Sequence, residues 1–109
     1  MAFNIDQLIG AMLAAVKPVL VKDWGEAAPY AKTEATKIAH TLANIAELRA
    51  ANQINDDQAA ALLDMQKQAS QAVLLAIEGI GLIAAQKAIN AALAAVRDVV
   101  NGALGFSLL

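Results

Sequence analysis

The feature that most constrains this chain is the long stretch from Asn55 to Asn101, which contains no proline and no strong signal for the end of a helix. Alanine, the residue with the highest helix propensity, makes up about a quarter of all positions. Only 4% of the residues are aromatic, and aromatic and β-branched residues are the ones that favour strands. The composition therefore predicts an all-α fold, in a single helical domain that covers residues 1–109.

Two similar segments predict the starts of helices. In the segment FNIDQL, Asn4 can accept a hydrogen bond from the first helical turn, and Gln7 can reach back toward it. In the segment INDDQA, Asn55 and Gln58 have the same spacing, and the two aspartates between them favour the positive end of the helix dipole. We therefore expect one helix to begin after Asn4 and another after Asn55.

Other signals predict where the helices end. Residues 23–25 read Asp-Trp-Gly and interrupt the first helix, and Pro29 is tolerated within the opening turn of the next one. Asn101 and Gly102 form a reasonable C-terminal cap. The predicted helices therefore cover residues of about 5–22, 27–52 and 56–101.

The predicted third helix is too long for a compact chain of this size. A helix of roughly 46 residues spans about 69 Å, whereas the radius of gyration of a compact domain of this length is about 13 Å. Either this helix breaks, or the molecule is elongated. Because the first two helices together match the third in length, we expect a long antiparallel hairpin that turns at residues 53–55. A hairpin buries only one seam, so we expect several copies to assemble into a helical bundle.

The segment AIEGIGL, residues 76–82, interrupts the apolar part of the predicted third helix. Glu78 follows Asp64 and Gln71 at intervals of seven residues, so it belongs to a continuous polar row and is expected to be solvated. Gly79 and Gly81 are small enough to let another helix approach closely; the alternative is a kink. Because no good capping residue follows them, we do not expect the helix to break completely.

A second apolar seam begins near this segment. Its large residues recur every seven positions or at the next helical offset, so that the helix is apolar on two faces and one of them needs a partner. The simplest partner is another copy of the chain, which predicts a homo-oligomer, either a dimer or a tetramer. The residues predicted to carry self-association are Leu75, Gly79, Gly81, Leu82, Ile89, Leu93, Val96 and Val100.

Several classes of function lack the residues that they require. The net charge is −2 and the eight Lys and Arg residues are scattered, so we expect no nucleic-acid partner. The chain has no cysteine and a single histidine, His40, which argues against a metal site. Ser70 and Ser107 lack the context of a nucleophile elbow. We therefore predict no catalytic, cofactor or metal site and no enzymatic activity.

The remaining prediction is a small structural or interaction protein that self-associates through the apolar seam. One alternative is a membrane-active protein, holin-like or pore-like, although the longest apolar segment, residues 73–85, contains Glu78 and is shorter than the roughly 20 residues that span a bilayer. A second alternative is a carrier of an apolar ligand or lipid. The N-terminus has Asp6 where a signal peptide needs positive charge, which predicts a cytoplasmic protein.

Overall fold

A computed structural model describes residues 3–109 and contains four α-helices. Helix α1 covers Ile5–Val19, and a short 3-10 turn at Val21–Asp23 leads into α2, Trp24–Ala50. Helix α3 covers Asp56–Leu75 and α4 covers Leu82–Leu104. The described residues contain no strand, so the predicted all-α class is confirmed. Met1 and Ala2 of the predicted domain lie outside the described residues.

The predicted helix from 56 to 101 is wrong because the chain breaks between Leu75 and Leu82. Ile77 and Ile80 turn inward and are buried in the core. Between them, Gly79 has a φ of +91°, in the left-handed region that favours glycine. Gly81 then takes the N-cap position of α4 with an extended backbone, without a side-chain cap. Helix α4 therefore begins without a capping side chain. The lack of such a side chain had been the reason to expect no break.

The four helices form a compact bundle in which each helix packs against its two neighbours. Helix α1 contacts α2 and α4, α2 contacts α3, and α3 contacts α4. Short connections make consecutive helices antiparallel. The radius of gyration is 13.6 Å and the extents are 42 × 23 × 18 Å. The predicted elongated hairpin is therefore wrong: α1 folds back along α2 instead of extending it, and one chain alone closes a core.

The helix starts predicted from asparagine are confirmed. The Asn4 side chain accepts a hydrogen bond from the backbone N–H of Gln7, at 3.1 Å. Asn55 and Gln58 form a complete capping box, in which each side chain accepts a hydrogen bond from the other residue's backbone N–H, at 2.8 and 2.9 Å. These caps depend only on residues three positions apart, which is why the sequence reveals them.

Other helix boundaries differ from the predictions. Helix α1 ends at Val19 rather than near residue 22, and α2 begins at Trp24 rather than near residue 27. Pro29 is therefore the sixth residue of α2, beyond its opening turn. Both Pro29 and Gly25, whose carbonyl would otherwise bond to residue 29, are exposed, so water can satisfy that carbonyl.

The last helix passes through Asn101 and Gly102 and ends at Leu104, where Gly105 has a φ of +77°. Asn101 is free for another role because Gly105 supplies the left-handed cap. The Asn101 Oδ1 accepts hydrogen bonds from the backbone N–H groups of Leu108 and Leu109, both at 3.0 Å. The last residues therefore fold back onto α4.

The end of α2 is joined to this tail by Arg49. The Arg49 guanidinium donates to the carbonyl of Ile54 at 3.0 Å and forms an ion pair with Asp56 at 2.8 Å. It also lies over the ring of Phe106, 5.2 Å from the centroid. One side chain thus connects α2, the α2–α3 turn and the C-terminal tail at one end of the bundle.

The helices differ in how deeply they are anchored. Helix α2 buries nine residues, several of them alanines that let its neighbours approach closely, and α4 buries seven. Helix α3 buries only four of its 20 residues, and two of those are Ala59 and Ser70. The largest fully buried apolar side chains come from all four helices: Met12, Ile38, Leu42, Ile45, Leu74, Val96 and Val100.

Candidate functional site

The structure divides the residues predicted to carry self-association into two groups. Ile89, Leu93, Val96 and Val100 are all buried within the core of the single chain. The break after Leu75 allows α4 to fold back, so the apolar face that was predicted to need another copy packs instead against the chain's own helices. The prediction that a second apolar face of α4 stays uncovered is therefore corrected for these four residues.

The other predicted residues lie at the connection between α3 and α4. Leu75, the last residue of α3, is 39% exposed, and Leu82, the first residue of α4, is 52% exposed. Gly79 and Gly81 shape the turn itself, so their role in the described fold is conformational. The Asp23 carboxylate lies 2.8 Å from where a Cβ of Gly79 would be, which places the 3-10 turn beside this connection.

Leu75 and Leu82 belong to an exposed apolar group at this end of the bundle. Val21 in the 3-10 turn and Ile83 in the first turn of α4 are also large, apolar and exposed. We call these four residues, Val21, Leu75, Leu82 and Ile83, the end patch. Glu78 is exposed in the same connection, in agreement with its expected solvation.

A second apolar surface, which the sequence reasoning missed, runs along the outside of α2 and α3. A hydrogen bond from Thr41 Oγ1 to Gln66 Oε1, at 3.3 Å, shows which parts of the two helices lie beside each other. Two surface grooves of about 430 and 490 Å³ follow this helix pair, one after the other. We call this surface the α2–α3 side. Its groove-lining residues are Tyr30, Thr41, Asn44 and Leu48 of α2, and Leu62, Met65, Gln66, Ala69, Val73 and Ala76 of α3, with Glu26 and Glu78 at one end; Ala72, next to Val73 in α3, is exposed as well.

Charged residues are few on the α2–α3 side. Glu26 and Glu78 line the groove at the end near the α3–α4 connection. The other groove contains no charged residue. Lys37 lies near the middle of α2, and its ammonium is 3.3 Å from the carboxylate of Glu34. The charged residues that line the two grooves are therefore confined to one end of this side.

The α3 residues of the α2–α3 side are spaced at helical intervals of three and four, so their pattern was visible in the sequence. Leu62, Ala69 and Val73, for example, recur at intervals that place them on one face of a helix. What could not be foreseen is that this face remains exposed, because the deeper stripe through Ala59, Leu63 and Leu74 provides the contacts with the core instead.

Among residues 3–109, one charged residue is buried at the centre of the bundle. Glu34 is 3% exposed, its Oε1 has no hydrogen-bond partner, and it lines a central cavity of only about 10 Å³ together with residues of all four helices. Its position could have been found from the spacing, since Ala27, Ala31 and Ile38 share the same helix face. The cavity has room for no more than about one water molecule.

Groups that bind metals or activate nucleophiles do not converge within residues 3–109. No group of three or more His, Cys, Asp or Glu side chains in this range could hold a metal ion. His40 is exposed on α2, and Ser70 is buried in α3, where its hydroxyl accepts a hydrogen bond from Gln66 at 3.0 Å. The exposed apolar surfaces are therefore the strongest candidates for a functional site.

Comparisons with protein-family models, with curated proteins and with solved structures found no match to this chain.

Proposed function

We propose that this chain is a structural or interaction protein that acts by self-association through apolar surface left uncovered by its own core. The observation that supports this proposal is the exposure of large apolar side chains in two groups. The end patch is one group; on the α2–α3 side, Leu62 and Met65 line one groove and Tyr30 lines the other. Single exposed apolar residues are common on protein surfaces, but groups of them are typical of interaction sites.

Self-association would bury this apolar area, which stabilises a complex by about 25 cal/mol per Å² before the loss of translational and side-chain entropy is subtracted. The partner surfaces must therefore be large and complementary enough for the burial free energy to exceed this loss of entropy. The proposal no longer depends on Ile89, Leu93, Val96 and Val100, whose side chains the chain already buries. Of the predicted seam, Leu75 and Leu82 remain exposed.

The test is the absolute mass in detergent-free buffer, measured by light scattering behind a sizing column over a series of concentrations. We expect a discrete dimer or tetramer, in exchange with monomer at the lowest concentrations. A chain that remains monomeric up to millimolar concentration would contradict self-association, because no useful affinity would then remain.

The membrane alternative predicts a different result in the same measurement. Within residues 3–109, no helix is both long and apolar enough to cross a membrane. Contact with a membrane surface would instead give heterogeneous aggregates that resolve only in detergent, and cosedimentation with vesicles. That result would favour the membrane-active alternative over a protein partner.

The lipid-carrier alternative requires a cavity that encloses an apolar ligand. The central cavity of about 10 Å³ is far smaller than a cavity that binds even benzene, roughly 150 Å³. The structure therefore provides no observation that favours a carrier. The absence of enzymatic activity and of a nucleic-acid partner, and the cytoplasmic location, stay predictions.

A further inference from the structure

We infer that the partner is a second copy of this chain, bound through the α2–α3 side, with α3 of one copy antiparallel to α3 of the other. This inference rests on the proposed function and adds the surface and the orientation. Three independent properties of the α2–α3 side support it: its area, the gradation in size of its side chains, and the placement of its charges.

A long side of the bundle is large enough for a stable dimer interface, whereas the end that carries the end patch is not. Stable interfaces bury about 800 Å² on each partner. The end of the bundle that carries the end patch measures at most 23 × 18 Å, on the order of 400 Å² and so about half of this value. The long sides measure 42 × 23 Å or 42 × 18 Å and offer on the order of 750–1,000 Å², close to this value. A stable dimer therefore requires a long side, and the α2–α3 side carries Tyr30, Leu62 and Met65 as exposed large apolar residues.

The side chains of α3 on this surface become smaller along the helix. Leu62 and Met65, which is 68% exposed, lie in the first half, and the smaller residues Ala69, Ala72, Val73 and Ala76 follow in the second half. In an antiparallel pair, the larger residues of each copy meet smaller residues of the other, and Met65 lies opposite Val73. Leu62 would lie opposite Ala76 of the second copy, and Ala69 would lie near its own equivalent on the two-fold axis. Such self-complementarity is the requirement of an isologous interface.

The charges favour the same orientation. Glu26 and Glu78 lie together at one end of the α2–α3 side. A parallel pair would bring the four carboxylates of two copies close together, and like charges placed opposite each other reduce affinity. An antiparallel pair separates them to the two ends of the dimer. Lys37, near the middle, is already paired with Glu34 of its own chain.

The orientation can be tested by cross-linking, because the chain has no cysteine. Single variants Ala69→Cys and Ala76→Cys place a thiol at the expected two-fold axis and about two turns away from it. Under mild oxidation we expect Ala69→Cys to form a disulfide-linked dimer and Ala76→Cys alone to form none. A mixture of Ala76→Cys with Leu62→Cys should form the mixed dimer. Ala95→Cys, exposed on α4, serves as the matched control and should remain monomeric on denaturing gels.

A second variant tests the surface without a cross-link. Met65→Glu places a charge at an exposed position and should leave the helical circular dichroism unchanged, while it raises the dissociation constant of the dimer by about tenfold or more. Lys87→Glu, at an exposed position of α4, is the control and should leave that constant within about threefold of its original value.

The outcomes separate this inference from the proposed function. A dimer that survives Met65→Glu and that Ala69→Cys does not cross-link would overturn the inference and leave self-association intact. Self-linking of Ala76→Cys to the same extent as Ala69→Cys would show a parallel pair, in which every interface residue meets its own equivalent, and would overturn the stated orientation. A monomer at every concentration would overturn both proposals.

Discussion

At the scale of single residues, Glu34 is the position where local chemistry and packing conflict. Its carboxylate is buried, with one oxygen beside Lys37 and the other without a partner. Burying a charge is unfavourable unless its hydrogen bonds are replaced, and the half-exposed Lys37 replaces them only in part. The buried position of Glu34 follows from helical spacing in the sequence. The lack of a hydrogen-bond partner for its second oxygen does not, because it depends on which side chains the other three helices supply.

We expect Glu34→Met to stabilise the fold by about 1–2 kcal/mol, because an apolar side chain of similar length would fill the same space without a desolvated charge. The free energy of unfolding, measured in urea, checks this. Glu47→Met, at an exposed position of the same helix, should change it by less than about 0.5 kcal/mol. A loss of stability in Glu34→Met beyond that of Glu47→Met would show that the carboxylate has a favourable role in the core.

At the scale of helices and turns, the sequence predicts where helices start better than it predicts where a long helix breaks. The asparagine caps act over three residues and are legible in the sequence, whereas the α3–α4 connection depends on burial of Ile77 and Ile80 among other helices. A prediction from local capping signals cannot detect that contribution. The same limitation explains the end of α4: Asn101 is a plausible cap by itself, but it binds the backbone of Leu108 and Leu109 instead.

Two glycine substitutions should have opposite effects on stability. Gly79→Ala forces a side chain into a backbone with positive φ and against Asp23, so we expect a loss of about 1–3 kcal/mol. Gly10→Ala, on the open surface of α1, should add up to about 1 kcal/mol through helix propensity. Thermal and urea unfolding of both variants give the comparison. If Gly79→Ala is as stable as the original chain, the break between α3 and α4 does not depend on this conformation.

At the scale of the whole molecule, the length of the predicted third helix decides the architecture. A 46-residue helix and a compact chain are incompatible, and of the two resolutions the chain adopts the break rather than the elongated hairpin. The composition predicts helices but not their number, because a single turn of about six residues decides whether the apolar face of α4 meets its own chain or another. That choice also determines which surface stays available: the outside of α2 and α3 instead of the seam on α4.

The shallow anchoring of α3 has a consequence for hydrogen exchange. A helix with four buried residues needs little free energy to open locally, so its amide hydrogens should exchange faster than those of α2 and α4 in the monomer. If a second copy covers α3, mass action makes this opening rarer as the protein concentration rises. Exchange measured by mass spectrometry at two concentrations should then show slowing in α3 that exceeds the slowing in α4. Equal rates in α3 at both concentrations would indicate that no partner protects it. The helix that a second copy covers would then be one that the monomer holds by few buried residues, so that assembly and local stability are coupled in α3.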